Sequence, residues 1–102
     1  MVPARPLTLR YTPLAAAELA ALLDYIRYQS PSGADKVAAR LKPLIDMLPT
    51  NPCMGRLSQI PTLRILPARP YPYLIFYEVG AEDIVVLAFR HAAEDPSTFP
   101  DL

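Results

Sequence analysis

The distribution of proline restricts what this chain can fold into more than any other feature. Thirteen of the 102 residues are proline, against about 5% in an average protein. Proline has no backbone N–H and its ring clashes with the preceding turn of a helix, so long helices and central strands must run between prolines. Three stretches contain none, residues 14–30, 32–42 and 73–95. We expect regular structure mainly there.

Length, charge and hydropathy narrow the class of protein. A chain of 102 residues has the size of one domain, and we expect a single domain over 1–102, with a core from about 7 to 95 and a short tail at 96–102. Ten Lys and Arg residues balance ten Asp and Glu residues, which is poorly suited to binding the phosphates of nucleic acid. Neither a membrane span nor the apolar part of a secretion signal is present. We expect a cytoplasmic protein that contacts neither nucleic acid nor membrane directly.

The first predicted helix covers about residues 13–28. Thr12 and Pro13 form a helix start, in which a capping hydroxyl precedes a proline at the first helical position. Large apolar residues then recur at helical spacing: Leu19, Leu22, Leu23 and Ile26.

The second predicted helix covers about residues 32–48, after a break that contains Ser30 and Pro31. Its apolar residues share one face: Ala34, Val37, Ala38, Leu41, Leu44, Ile45 and Leu48. Pro43 lies on the opposite side, where water can bond to the carbonyl that loses its partner, so we expect one bent helix. The short connection predicts that the two helices form an antiparallel hairpin.

The rest of the chain has the pattern of strands. Residues 62–68, 73–79 and 84–89 are rich in branched and aromatic side chains, and a four-residue loop joins the last two stretches. Residues 7–11 predict an initial strand. The nearly continuous apolar character of the last two stretches is typical of the centre of a sheet. We therefore predict an α+β fold of order β-α-α-β-β-β, in which a helical hairpin packs on a mainly antiparallel sheet, with Phe99 packed back onto that sheet.

Several kinds of chemistry are not expected. His91 is the only histidine, and its neighbours at helical spacing are only the carboxylates Glu94 and Asp95, so no metal site is predicted. Cys53 is the only cysteine, and we expect it to be a small buried apolar residue and not a nucleophile. Three scattered glycines form no phosphate-binding loop, so no cofactor is expected.

One cluster of residues can bind a ligand or take part in catalysis: Arg64, Arg69, Tyr77, Arg90 and His91. In an antiparallel sheet these positions can meet at one end or on one face. Arg64 alternates with apolar residues and therefore points away from the face that they bury. Arginines beside a histidine can bind a phosphate or an acidic peptide, and His91 can serve as a general acid. Alternatively, the arginines pair with carboxylates (Glu78, Glu94 or Asp95) and Tyr77 packs in the core.

A family resemblance rests on the order of several motifs. Before the predicted sheet they are Tyr11-Thr12-Pro13, the Ser30-Pro31 break and Pro52-Cys53-Met54-Gly55-Arg56. Within it they are Leu63-Arg64-Ile65-Leu66-Pro67, the stretch from Tyr71 to Val79, and the stretch from Ile84 to Asp95 with Arg90-His91. Over about residues 7–95 the chain resembles the ParE branch of the RelE/ParE superfamily of type II toxin–antitoxin modules. That family has the fold that the pattern predicts.

The resemblance implies a small bacterial toxin that a cognate ParD-like antitoxin neutralises, in modules associated with plasmid stabilisation. ParE-like members act on DNA gyrase and stall it with cleaved DNA, whereas RelE-like members cut mRNA on the ribosome. The absence of net charge, with only four Lys and Arg residues from Arg56 onward, favours the toxin that inhibits gyrase by binding and has no catalytic residues.

Two alternatives stay open. One is a ribosome-dependent endoribonuclease in which His91 is the acid and Arg64, Arg69 and Arg90 hold the phosphate. The other is an inactivated relative that only binds an antitoxin. For the antitoxin, we expect an exposed apolar surface at the last strand or in the groove of the helical hairpin.

Overall fold

Two helices pack on one face of a five-stranded sheet. The computed structural model describes residues 5–93. Its elements are β1 (Thr8–Tyr11), α1 (Pro13–Gln29), α2 (Pro31–Met47), β2 (Arg56–Leu57), β3 (Leu63–Pro67), β4 (Tyr73–Val79) and β5 (Asp83–His91). The predicted α+β fold and its order are confirmed, and β2 is an additional two-residue strand that the sequence pattern does not predict.

The sheet has the strand order β1-β5-β4-β3-β2. β1 runs parallel to β5, and the other three pairs are antiparallel. The two most apolar strands, β4 and β5, therefore lie inside the sheet, as their composition predicts. The register between them shifts at Phe76 and Tyr77, which marks a β-bulge.

α1 begins where Thr12 and Pro13 predict, and α2 begins at Pro31, one residue before its predicted start. The hydroxyl of Thr12 accepts a hydrogen bond from the backbone N–H of Ala15 at 3.0 Å and donates one to the carbonyl of Leu87 at 3.2 Å. Thr12 therefore caps α1 and also ties its start to β5. Ser30 ends α1 and caps α2, since its hydroxyl accepts from Gly33 N at 3.1 Å. Pro43 lies inside α2 on its exposed side.

The main core lies between the helices and the sheet. Its fully buried side chains include Ile45 and Leu48 on the helical side and Ile75, Ile84 and Val86 on the sheet. A second, smaller cluster lies on the opposite face of the sheet: Leu63, Leu74, Phe76 and Ala88. Among the described residues, neither helix has the length and apolar character needed to cross a membrane.

The prediction that Cys53 is buried is wrong, because its side chain is exposed. Cys53 lies in the loop between α2 and β2, and there the neighbouring Pro52 and Gly55 are the buried residues. The carbonyl of Cys53 accepts a hydrogen bond from Arg64 at 3.3 Å, so this residue contacts the fold through its backbone. The predicted tail at 96–102, with Phe99, lies outside the described residues.

Candidate functional site

The predicted cluster of basic and aromatic residues is divided between two places on the sheet. Arg64 lies opposite Tyr77, whereas His91 lies opposite Tyr73. Tyr73 and Tyr77 are four positions apart on β4, which corresponds to about 13 Å along a strand. The structure therefore does not bring Arg64 and His91 together around one small ligand.

Tyr77 and Arg64 hold the loop between α2 and β2. Tyr77 is fully buried, and its hydroxyl donates to the carbonyl of Pro52 at 2.7 Å and accepts from Gly55 N at 2.8 Å. The Arg64 guanidinium donates to the carbonyl of Gly55 at 2.7 Å. A Cβ at Gly55 would lie 2.7 Å from the Tyr77 ring, so only glycine fits there. This arrangement confirms that Tyr77 packs in the core and gives Arg64 a structural contact.

Arg90 pairs with Glu18 of α1. The two side chains are only 14% and 23% exposed, and the Glu18 carboxylate also accepts from Phe89 N at 3.2 Å. Glu78 instead accepts from the hydroxyl of Thr62 at 2.9 Å. The sequence pattern does not predict the Glu18 contact; its only signal is that Glu18 is the one charged residue between positions 13 and 23.

His91 and Arg69 lie at the same end of the sheet as Arg90. The His91 ring packs edge-to-face on Tyr73 with 5.7 Å between ring centres, and its Nδ1 accepts from Ala93 N at 3.0 Å. The carbonyl of Arg69 accepts from the Nε of Arg40 at 2.6 Å. Arg40 and Arg69 are exposed, so this end of the sheet presents two guanidinium groups to solvent.

A groove lies between α1 and the end of β5 and has a volume of about 520 Å³. We name it the α1–β5 groove, and its lining residues are Glu18, Ala21, Leu22, Tyr25, Tyr73, Phe89, Arg90 and His91. Most of its lining is apolar, and the Glu18–Arg90 pair supplies polar groups. A smaller groove of about 270 Å³ lies between the two helices beside Tyr11. The two grooves lie where the sequence predicts an apolar contact surface.

Exposed apolar side chains on α1 extend the α1–β5 groove. Leu14, Tyr25 and Tyr28 share one helix face by their spacing, and Tyr25 and Tyr28 are 64% and 92% exposed. Large exposed apolar side chains beside an apolar groove are typical of a surface that binds another protein.

Charge is distributed unevenly along the chain. All ten Lys and Arg residues but only seven of the ten acidic residues lie within 5–93, which gives this part a formal charge of +3. The other three acidic residues are Glu94, Asp95 and Asp101. Within 5–93, no group of three His, Cys, Asp or Glu side chains could hold a metal ion.

The fold is that of toxins from type II toxin–antitoxin systems. One similar solved structure is the chromosomal ParDE TA system from P. aeruginosa, with a TM-score of 0.74 and 26% identity over 83% of this chain and 95% of that chain. The toxin–antitoxin complex RelBE2 from Mycobacterium tuberculosis shares the fold, with a TM-score of 0.55 and 20% identity over 92% of this chain and 100% of that chain.

The sequence identifies the family within that class. The family model described as ParE toxin of type II toxin-antitoxin system, parDE, matches residues 9–96, and the chain belongs to this family. It is 43% identical to Toxin RelE2 of Caulobacter vibrioides over 78% of this chain and 88% of that protein. It is 32% identical to Putative toxin Y4kP of Sinorhizobium fredii over 82% of this chain and 86% of that protein.

Proposed function

We propose that this toxin inhibits DNA gyrase by binding, without catalytic residues of its own, and acts in the cytoplasm. A ParD-like antitoxin neutralises it by covering the α1–β5 groove. The observation that carries the proposal is that Arg64 and Arg90 are separated and held in structural contacts, while the α1–β5 groove is mainly apolar. Such a surface suits a polypeptide partner better than a polyanion.

The contacts of the basic residues argue against RNA cleavage. A general acid must lie within about 3 Å of the atom that it protonates, and the cations that stabilise the phosphate must surround the same group. Arg64 lies about 13 Å from His91 along the strand and donates to the carbonyl of Gly55. Arg90 is neutralised by Glu18. Of the three arginines in the predicted cluster, Arg69 is the one that is exposed and has no ion pair within residues 5–93.

A second candidate function is cleavage of mRNA on the ribosome. The name of the 43% identical relative, Toxin RelE2, and the formal charge of +3 within residues 5–93 favour it. In that case His91 is the acid, and Arg64, Arg69 and Arg90 hold the phosphate. This mechanism requires a rearrangement that frees Arg90 from Glu18 and Arg64 from the carbonyl of Gly55 and brings both toward His91. The third candidate is an inactivated relative that binds only an antitoxin, and it would bind that antitoxin in the same α1–β5 groove.

A paired assay distinguishes these functions. The purified toxin is added to gyrase with supercoiled and relaxed DNA, and separately to translating ribosomes with a defined mRNA. We expect loss of supercoiling and accumulation of cleaved DNA, reversed by the antitoxin, and intact mRNA. Cleavage of the mRNA that disappears in His91→Ala would establish the nuclease instead. Absence of both activities, together with no growth arrest on expression, would identify an inactivated relative.

A further inference from the structure

The chain leaves the described part of the fold at one end of the α1–β5 groove. The backbone N–H of Ala92 donates to the carbonyl of Pro72 at 2.8 Å, and that of Ala93 donates to His91 Nδ1 at 3.0 Å. His91 itself lines the groove. The residues that follow Ala93 therefore start beside an apolar groove of about 520 Å³.

The composition of residues 94–102 matches this groove. The segment reads EDPSTFPDL and contains three carboxylates, two prolines and no basic residue. Its prolines disfavour a helix and favour an extended backbone. Its apolar side chains are Phe99 and Leu102. Six extended residues span up to about 20 Å, whereas the part of α1 that lines the groove, from Glu18 to Tyr25, is about 10 Å long. Phe99 can therefore reach every part of the groove.

The charges on the two sides are complementary. The formal charge of residues 5–93 is +3, and residues 94–102 contribute −3 from their side chains. Arg69 belongs to the turn before β4 that Ala92 contacts through Pro72, and Arg40 is bonded to the carbonyl of Arg69. No carboxylate within residues 5–93 lies at ion-pair distance from either arginine. Within the described part of the chain, both are therefore available to a carboxylate from another segment.

We propose that residues 94–102 occupy the α1–β5 groove of their own chain, with Phe99 on its apolar lining and the carboxylates near Arg40 and Arg69. The segment then competes with any polypeptide that binds the same groove. The docking of the segment is independent of the toxin's target; only the competition rests on the function proposed above.

Docking is tested on the full chain without a partner by methyl NMR of the side chains of Ala21 and Leu22, which line the groove. A phenyl ring on the groove shifts these methyl signals. We expect Phe99→Ala to change them and the neighbouring variant Thr98→Ala to leave them in place. Arg69→Gln or 0.5 M NaCl should move the signals part of the way toward those of Phe99→Ala. Identical spectra for the wild-type chain and Phe99→Ala would overturn the proposal, as would shifts that depend on protein concentration and so reveal docking between chains.

Competition is tested separately with the purified cognate antitoxin. If the docked form is about 90% populated, the apparent Kd is about tenfold weaker than that of the open groove. We therefore expect Phe99→Ala to bind the antitoxin about tenfold more tightly than the wild-type chain, and Thr98→Ala to bind like the wild-type chain. Equal affinities, with the NMR shifts as expected, would overturn the competition while the docking stands.

Discussion

At the scale of single residues, the buried hydroxyl of Tyr77 pairs with two backbone groups of the loop between α2 and β2. That loop carries backbone groups of Pro52 and Gly55 into the interior, where an unpaired polar group is costly. The hydroxyl donates to one and accepts from the other at 2.7 and 2.8 Å. One side chain on β4 therefore holds both ends of a turn that contains neither a helix nor a strand.

The first prediction concerns removal of that hydroxyl. We expect Tyr77→Phe to keep the fold and to lower the free energy of unfolding by about 1–3 kcal/mol, because a buried carbonyl and a buried N–H lose their partner. The measurement is urea unfolding followed by circular dichroism. The matched control is Tyr28→Phe, since Tyr28 is 92% exposed and should change stability by less than about 0.5 kcal/mol. Equal effects of the two variants would contradict the role assigned to Tyr77.

The second prediction concerns alkaline pH. Burial raises the pKa of Tyr77 above its ordinary value, and the nearby Gly55 N–H and Arg64 only partly oppose this. Burial, together with the charge of Asp46, also raises the pKa of Tyr11. Above about pH 10 the unfolded chain loses these protons while the folded chain keeps them, so stability falls as the pH rises.

Unfolding free energies measured between pH 8 and 11 test this second prediction. We expect the decline above about pH 10 to be shallower in Tyr77→Phe than in the wild-type chain, and unchanged in Tyr28→Phe. A slope that is the same in all three proteins would show that Tyr77 titrates alike in the folded and unfolded states.

The orientation of Arg64 could be predicted from sequence, because alternation along a strand assigns side chains to opposite faces. Its partners could not be predicted, since they are carbonyls in a loop without periodicity. The same limit applies to Glu18 and Arg90, which are 72 positions apart. The exposed position of Cys53 could not be predicted either, because it depends on how its neighbours pack and not on its own composition.

At the scale of elements, α2 continues through a proline. Pro43 lies on the exposed side of the helix, where water can bond to the carbonyl of Ala39 that loses its partner and no core contact is disturbed. The apolar face of α2 therefore remains continuous from Ala34 to Leu48.

The third prediction follows from that position. We expect Pro43→Ala to raise the free energy of unfolding by about 1–2 kcal/mol, because the restored N–H outweighs the greater freedom of the unfolded chain. Pro31→Ala is the matched control: Pro31 is the first residue of α2, where proline costs no hydrogen bond. The measurement is thermal unfolding of both variants and the wild-type chain, and Pro31→Ala should have little effect on stability in it. A loss of stability in Pro43→Ala would mean that the proline ring makes contacts that the helix needs.

Both helices could be predicted because each has a periodic apolar pattern, and the three main strands because each is rich in branched and aromatic side chains. β2 could not, since it has two residues and exists only through its register with β3, in which Arg56 lies opposite Ile65. The parallel pairing of β1 with β5 also depends on tertiary structure, because local sequence patterns do not define which distant strands become neighbours.

At the scale of the whole molecule, the α1–β5 groove is built from elements distant in sequence. α1 contributes Tyr25 and Leu22, β4 contributes Tyr73, and β5 contributes Phe89. The sequence could indicate that an apolar surface lies near the last strand, but it could not indicate which helix face completes it. The helix packs its core face inward and leaves Tyr25 and Tyr28 outside, so the groove is open to a partner along α1.

The fourth prediction tests this groove as the antitoxin site. Tyr25 is 64% exposed, so Tyr25→Asp should fold normally, yet it places a carboxylate where an apolar partner would cover it. We expect the affinity for the antitoxin to fall at least about 30-fold, which corresponds to about 2 kcal/mol for a central tyrosine.

Ala20→Asp is the control, because it adds the same charge to the same helix on an exposed side away from the groove. Calorimetry should find its affinity within about threefold of the wild-type value. If Tyr25→Asp bound equally well, the α1–β5 groove would not be the antitoxin site, and the groove between the helices, which does not include Tyr25, would be the next surface to test.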